Sequence, residues 1–188
     1  ATEWIQVKGG APVELKVRET RWGPITRELD DTTSLALRWT ALEPGRTADA
    51  IDRLNRAQTW EDFRSAASIF EVPAQNLIFA SVDGTIGYQT PGKIPIRSGY
   101  DGKYPAHGWD PKQTWTGYIP FEALPNVKNP DDGWVVTANQ ASVYEAYPYF
   151  LTDDWSYGAR SQRIVDLVKL ATSDGQKMTA ARMREIQF

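Results

Sequence analysis

Two polar residues bracket a stretch of this chain whose composition is otherwise that of a β-hairpin. Residues 72–97 read V-P-A-Q-N-L-I-F-A-S-V-D-G-T-I-G-Y-Q-T-P-G-K-I-P-I-R. Asn76 enters the first apolar run, and Arg97 closes the segment after two prolines and a glycine. What either residue does depends on what its side chain faces. Asn76 has a plain reading as an edge or loop asparagine bonded to its own backbone, and Arg97 as a surface salt bridge. The other chemistry-bearing types are sparse. There is no cysteine, which excludes disulfides, thiolate metal sites and a thiol nucleophile. The single histidine, His107, lies in P-A-H-G-W, and a Ser-His-Asp triad would have to use it. A glycine-flanked loop histidine reads more readily as structural or solvated. Asn139 reads as structural, capping the turn that follows it. The acidic pairs Asp30-Asp31, Asp131-Asp132 and Asp153-Asp154 lack the rest of a calcium-loop pattern and read as solvated turns.

The elements that position these residues are legible in outline. Residues 77–80 and 85–89 are short strand-like runs around Asp83-Gly84, which predicts a hairpin closed by a type I′ turn. Upstream, residues 4–8 and 13–18 alternate around Gly9-Gly10, predicting a hairpin with one apolar and one polar face. Residues 21–25 break the strand pattern, 29–33 form an acidic turn, and 34–39 resume as a strand. Thr47 is placed to cap a short helix carrying Ala48, Ile51 and Leu54. Thr59 caps a second, with Asp62 three residues on, and Phe63, Ala66, Ala67 and Phe70 forming its apolar stripe. Residues 98–130 show little periodicity but many aromatics, predicting an ordered loop. Residues 134–138 predict a strand leading into Asn139. The last third predicts a helix bearing Ile164, Leu167, Val168 and Ala171, then one capped by Thr179 and ending without a C-cap at Phe188.

The composition is that of a globular chain: 188 residues, net charge −3, 41% hydrophobic and 24% charged. The balance offers no basic footprint for nucleic acid. No apolar run reaches the ~18 residues of a membrane span, and no signal-like pattern opens the chain. The eight tryptophans read chiefly as packing residues.

Six ordered motifs carry a family resemblance: R-E-T-R-W-G-P-I (18–25), N-L-I-F-A-S-V-D-G-T-I-G-Y (76–88), P-G-K-I-P-I-R (91–97), W-T-G-Y-I-P-F-E-A-L-P (115–125), N-P-D-D-G-W-V-V-T-A-N (129–139) and G-A-R-S-Q-R-I (158–164). Together they resemble the middle of the β-chain of the penicillin acylase (penicillin amidase) family. The resemblance implies an α+β fold, part of an αββα N-terminal-nucleophile hydrolase sandwich with antiparallel sheets and flanking helices. It implies that residues 1–188 are a single partial domain, both ends cut from something longer. The implied activity is hydrolysis of the amide bond of penicillins or other N-acyl compounds, including acyl-homoserine lactones. A self-cleavage-exposed serine attacks, and its own α-amino group serves as base, a group that titrates near pH 8. By resemblance Asn76 is the oxyanion-hole asparagine, and Arg97 is an arginine near the active site that orients the nucleophile and substrate.

The resemblance implies no cofactor in this segment and calcium in the parent protein, with most ligands elsewhere. The expected partners are an acyl-amide substrate and the remaining α- and β-chain segments. Nucleic acid and membrane are not expected partners, and the expected location is periplasmic or secreted. Two departures stand out. Residues 1 and 2 are Ala and Thr, so the serine nucleophile is absent and the segment alone is expected to be inactive. Ser81 replaces the usual aspartate of the A-D-x-x-G run. The competing reading is a non-enzymatic binding module whose aromatic loops, 98–157, hold a hydrophobic ligand or partner.

Overall fold

A computed structural model describes residues 1–173, 175 and 177–187; the expected helix end at Phe188 lies outside the described residues. In chain order the strands begin with β1 (Thr2–Ile5), β2 (Val13–Lys16), β3 (Glu19–Thr20), β4 (Gly23–Glu28) and β5 (Ser34–Ala36). Helices α1 (Thr47–Arg56) and α2 (Trp60–Ala67) follow, then β6 (Leu77–Ala80), β7 (Ile86–Gln89), β8 (Pro95–Ser98), β9 (Thr114–Tyr118) and β10 (Asn126–Lys128). Helices α3 (Ala159–Ala171) and α4 (Ala180–Gln187) close the chain. The strands form small antiparallel sheets ordered β1-β2, β3-β4-β5, β10-β7-β6 and β8-β9. This is the α+β class expected from the sequence.

The core forms where α2 packs on the β6–β7 hairpin. Thr59 accepts from the Asp62 backbone N–H, while the Asp62 carboxylate takes the Thr59 N–H, completing the expected capping box. The stripe behaves as its spacing requires: Phe63, Ala66, Ala67 and Phe70 are all buried. Trp60 stacks on Phe63 with centroids 5.4 Å apart and meets Phe79 of β6 edge-on at 5.8 Å. Leu54, Ala57 and Leu77 pack around this aromatic group. Trp60 lies so close over β7 that a Cβ on Gly87 would come 2.3 Å from Cζ3 of the indole. The glycine of I-G-Y is thus the space into which the tryptophan fits.

Several expectations are corrected. The β6–β7 connection is not a type I′ turn: the Gly84 N–H donates to Ser81 O, and the left-handed conformation is confined to Gly84, at φ 93°. Ser81 N–H in turn donates to Thr85 O (2.9 Å), so the loop is Val82-Asp83-Gly84 with a bulge at the glycine. Thr47 does not cap α1. Its hydroxyl donates to Val72 O and accepts from the Glu71 and Val72 N–H groups, tying α1 to the segment before β6. Residues 21–25 do not end the strand pattern; most of them belong to β4, which pairs with β3 and β5. The loop expected over 98–130 contains β9 and β10, whereas 134–138 form no strand. The strand expected over 34–39 stops at Ala36. Strands β1 and β2 pair, though the first strand is Thr2–Ile5 rather than 4–8; Ile5, Val13 and Leu15 share one exposed face, and Trp4 is exposed on the other.

Candidate functional site

Asn76 immediately precedes β6, in register to continue the ladder that pairs Leu77 with Gln89 and Ile78 with Tyr88. Because strand side chains alternate, Asn76, Ile78, Tyr88 and Thr90 share one face of the sheet, and Leu77, Phe79 and Gly87 share the face beneath α2. The Tyr88 hydroxyl donates to Asn76 Oδ1 at 2.5 Å and lies 2.6 Å from Thr90 Oγ1. Tyr88 and Thr90 are buried, while Asn76 is exposed. The Asn76 Nδ2 group has no hydrogen-bond partner among the described residues. Its two polar atoms therefore differ: Oδ1 accepts from the buried Tyr88, and Nδ2 is unpaired among the described residues.

Backbone contacts clamp both sides of this group. Gln75 N–H donates to Pro91 O (3.3 Å), and Thr90 N–H donates to Pro125 O (2.8 Å). Gln89, fully buried, donates from Nε2 to Thr90 O at 2.9 Å. On the far side of β7, β10 pairs Val127 with Tyr88.

Arg97 sits elsewhere, on β8, opposite Trp115 and beside a register shift that re-aims the strand. Its side chain lies over Gly102, where a Cβ would approach Nε to 2.8 Å. It lines an open cavity of about 400 Å³ with Asp101, Lys103, Leu151 and Asp153. Lys103 and Asp153 form an ion pair (2.7 Å), which lowers the pKa of the aspartate and raises that of the lysine. The Arg97 side chain makes no ion pair or hydrogen bond among the described residues. No hydrogen bond joins Asn76 to Arg97, and Asn76 does not line the Arg97 cavity.

His107 is exposed and stacks on Trp109 at 4.9 Å; its ring contacts no hydroxyl or carboxylate among the described residues. This geometry fits a structural loop residue. Asn139 adopts φ 65°, takes the Arg160 guanidinium on Oδ1 (2.8 Å) and accepts from Ser156 N–H, as a turn-forming asparagine does. The acidic pairs assemble no site: among the described residues no three His, Cys, Asp or Glu side chains are grouped to hold a metal. Asp30 instead closes its own turn by accepting from Thr32 and Thr33 N–H, which lowers its pKa. Aromatic side chains of the 98–157 loops line a further open cavity of about 410 Å³, including Tyr144, Tyr147, Tyr149 and Trp155.

Two features escaped the sequence reading. Tyr88 and Thr90 were detectable in principle, since alternation across the hairpin puts them on the Asn76 face. The second is a stack in which the Arg38 guanidinium lies between Trp22 (4.8 Å) and Trp115 (4.1 Å). Trp22 also donates from Nε1 to Gly108 O at 2.8 Å, so the R-W-G motif ties the first sheets to the 98–113 loop.

The whole of the chain, residues 1–188, matches the penicillin amidase family. It belongs to that family. Among its curated relatives are an acyl-homoserine lactone acylase, QuiP, of Pseudomonas fluorescens, 32% identical over 93% of this chain and 22% of that protein. Another is penicillin acylase 2 proenzyme of a Pseudomonas species, 33% identical over 86% of this chain and 21% of that protein. The thermostable penicillin G acylase of Alcaligenes faecalis has a solved structure that superposes with a TM-score of 0.77. It is 29% identical, over 90% of this chain and 31% of that one. The chain thus spans about a fifth of the length of the curated relatives it matches. These relatives are acylases.

Proposed function

We propose that this penicillin amidase segment supplies the oxyanion-stabilising part of an N-terminal-nucleophile amidohydrolase acting on penicillin-like or other N-acyl amides. The observation that carries the reading is that Asn76 Nδ2 has no partner among the described residues, on a carboxamide whose oxygen is already engaged by Tyr88. In the reaction a serine hydroxyl attacks the amide carbonyl while its α-amino group takes the proton. The carbonyl π electrons move to oxygen, and Asn76 Nδ2–H donates to the oxyanion formed. Collapse of the tetrahedral intermediate expels the amine, which takes up the proton, and leaves an acyl-enzyme that water hydrolyses. One preorganised donor of this kind contributes about 10²–10³ in rate, roughly 2.7–4 kcal/mol.

Arg97 supports the reading in a secondary way: its guanidinium makes no ion pair among the described residues and offers a fork for a substrate carboxylate, although Asp101, Asp153 and Asp154 line the same cavity. The serine and its amino group come from the remaining segments of the parent acylase, which are the chain's partners. The parent is periplasmic or secreted, and a calcium ion there takes most of its ligands from other segments. The test is Asn76→Ala in the full-length acylase, assayed on chromogenic anilides bearing phenylacetyl or long-chain acyl groups. kcat falls by about 10²–10³ with little change in KM; a variant within threefold of wild type refutes the assignment. The 188-residue chain alone shows no turnover of either anilide, and measurable hydrolysis by it overturns the claim of inactivity.

A further inference from the structure

We infer that Tyr88 is a positioning residue for Asn76, setting which end of the carboxamide faces the reacting carbonyl. This rests on the reading of Asn76 as the oxyanion donor and goes beyond it to how the donor is aimed. A terminal carboxamide is nearly symmetric in shape, and rotation by half a turn about its last torsion exchanges oxygen and nitrogen. With the oxygen outward, Asn76 would present lone pairs to an oxyanion and repel it. Selection between the two orientations must come from a neighbour that prefers one atom.

Tyr88 is that neighbour. Its hydroxyl is 2.5 Å from Asn76 Oδ1, and the ring that carries it is buried, so the hydroxyl cannot swing away. A phenol can donate or accept, and the carboxamide oxygen, which only accepts, sets the direction of the Tyr88–Asn76 bond. Thr90 Oγ1 lies 2.6 Å from the phenol oxygen, and either hydroxyl can donate in that pair; with the tyrosine proton given to Asn76 Oδ1, Thr90 takes the donor role. The Thr90 backbone is held in place by Pro125 O and by the buried Gln89 amide. The resulting chain, Thr90 to Tyr88 to Asn76 Oδ1, also polarises the carboxamide and makes its N–H a better donor, since linked hydrogen bonds reinforce each other. Behind it Trp60 seats on Gly87, which fixes the height of β7 and with it the phenol.

The experiment is a double-mutant cycle in the full-length acylase with Tyr88→Phe and Asn76→Ala, using whichever acyl anilide the wild type hydrolyses faster. Tyr88→Phe keeps the buried ring and deletes the aiming hydroxyl; kcat is expected to fall about tenfold at unchanged KM. In the Asn76→Ala background the same change is expected to alter kcat by less than twofold, because nothing remains to aim. Thr90→Val, which removes the donor that polarises the phenol, is expected to give a smaller fall, again absent in the Asn76→Ala background. If Asn76→Ala lowers kcat but Tyr88→Phe does not, the positioning role is overturned while the oxyanion reading stands. If Tyr88→Phe lowers kcat equally in both backgrounds, its role is general packing and the inference fails. If Asn76→Ala leaves kcat unchanged, the oxyanion reading fails and takes the inference with it.

Discussion

Replacing Gly87 by alanine tests how the site is built, because one methyl group would have to share space with Trp60. The new Cβ would lie 2.3 Å from Cζ3 and 2.8 Å from both Cε3 and Cη2 of the indole. Carbon atoms settle at about 3.5–4.0 Å, so the nearest approach is short by roughly 1.2 Å or more. The indole cannot retreat freely, since it is stacked on Phe63 and edge-on to Phe79, and all three rings are buried. Forcing a methyl into a packed core costs about 1–3 kcal/mol. An approach this short falls in the upper part of that range, about 2–3 kcal/mol, and replacing a strand glycine recovers about 0.5–1 kcal/mol of backbone entropy, leaving a net loss of about 1–2.5 kcal/mol. For a chain of this size that lowers Tm by about 2–10 °C. Urea unfolding of the 188-residue chain measures it, with the m-value expected to stay constant. The decisive arm adds Trp60→Leu: once the indole is gone, the Gly87→Ala substitution is expected to be neutral or stabilising, a coupling of about 1–2.5 kcal/mol. Wild-type stability for Gly87→Ala alone, or an equal cost in both backgrounds, refutes the idea that the motif glycine exists to seat Trp60.

Acid should weaken the fold in a defined window. Asp62 is held below its ordinary pKa by hydrogen bonding to Thr59, Glu43 by Lys93, Asp153 by Lys103 and Asp83 by the Thr85 N–H. A carboxylate whose folded pKa is depressed stabilises fully above its unfolded value and loses that contribution as pH falls through the folded one. The urea midpoint is therefore expected to be flat between about pH 5 and 7 and to drop below about pH 4, and a midpoint that rises from about pH 4 to 3 contradicts the assignments. The uncovered face of β1–β2 predicts that the isolated chain binds a hydrophobic dye and self-associates, and that Ile5→Thr with Val13→Thr reduces both; a monodisperse chain without dye binding overturns this.

Much of the architecture was legible because it is encoded over a few residues. The Thr59–Asp62 capping box, the stripe on α2, the strands around Asp83-Gly84 and the family motifs all depend on near neighbours in sequence, and all of them stand in the structure. The misses are contacts made over longer separations. Thr47 looks like a cap from its own neighbourhood, yet Glu71 and Val72 claim its hydroxyl once α1 packs beside them. Strand β9 was hidden in an apparent loop because Thr114–Tyr118 has no alternation, and pairing with β8 across the intervening loop is what makes it a strand. Periodicity named an apolar face on the first hairpin but could not say what covers it.

The site divides the same way. The residue types and their order by themselves determined the family, and it is through the family resemblance that Asn76 is proposed as the oxyanion donor. Which atom of the Asn76 amide is left without a partner was decided only in three dimensions. It depends on the register that brings Tyr88 and Thr90 to the Asn76 face, and on Trp60 packing against Gly87 to hold β7 at that height. A sequence specifies donors and acceptors, but the direction in which a side-chain amide points is set by the partner that folding places against one of its ends.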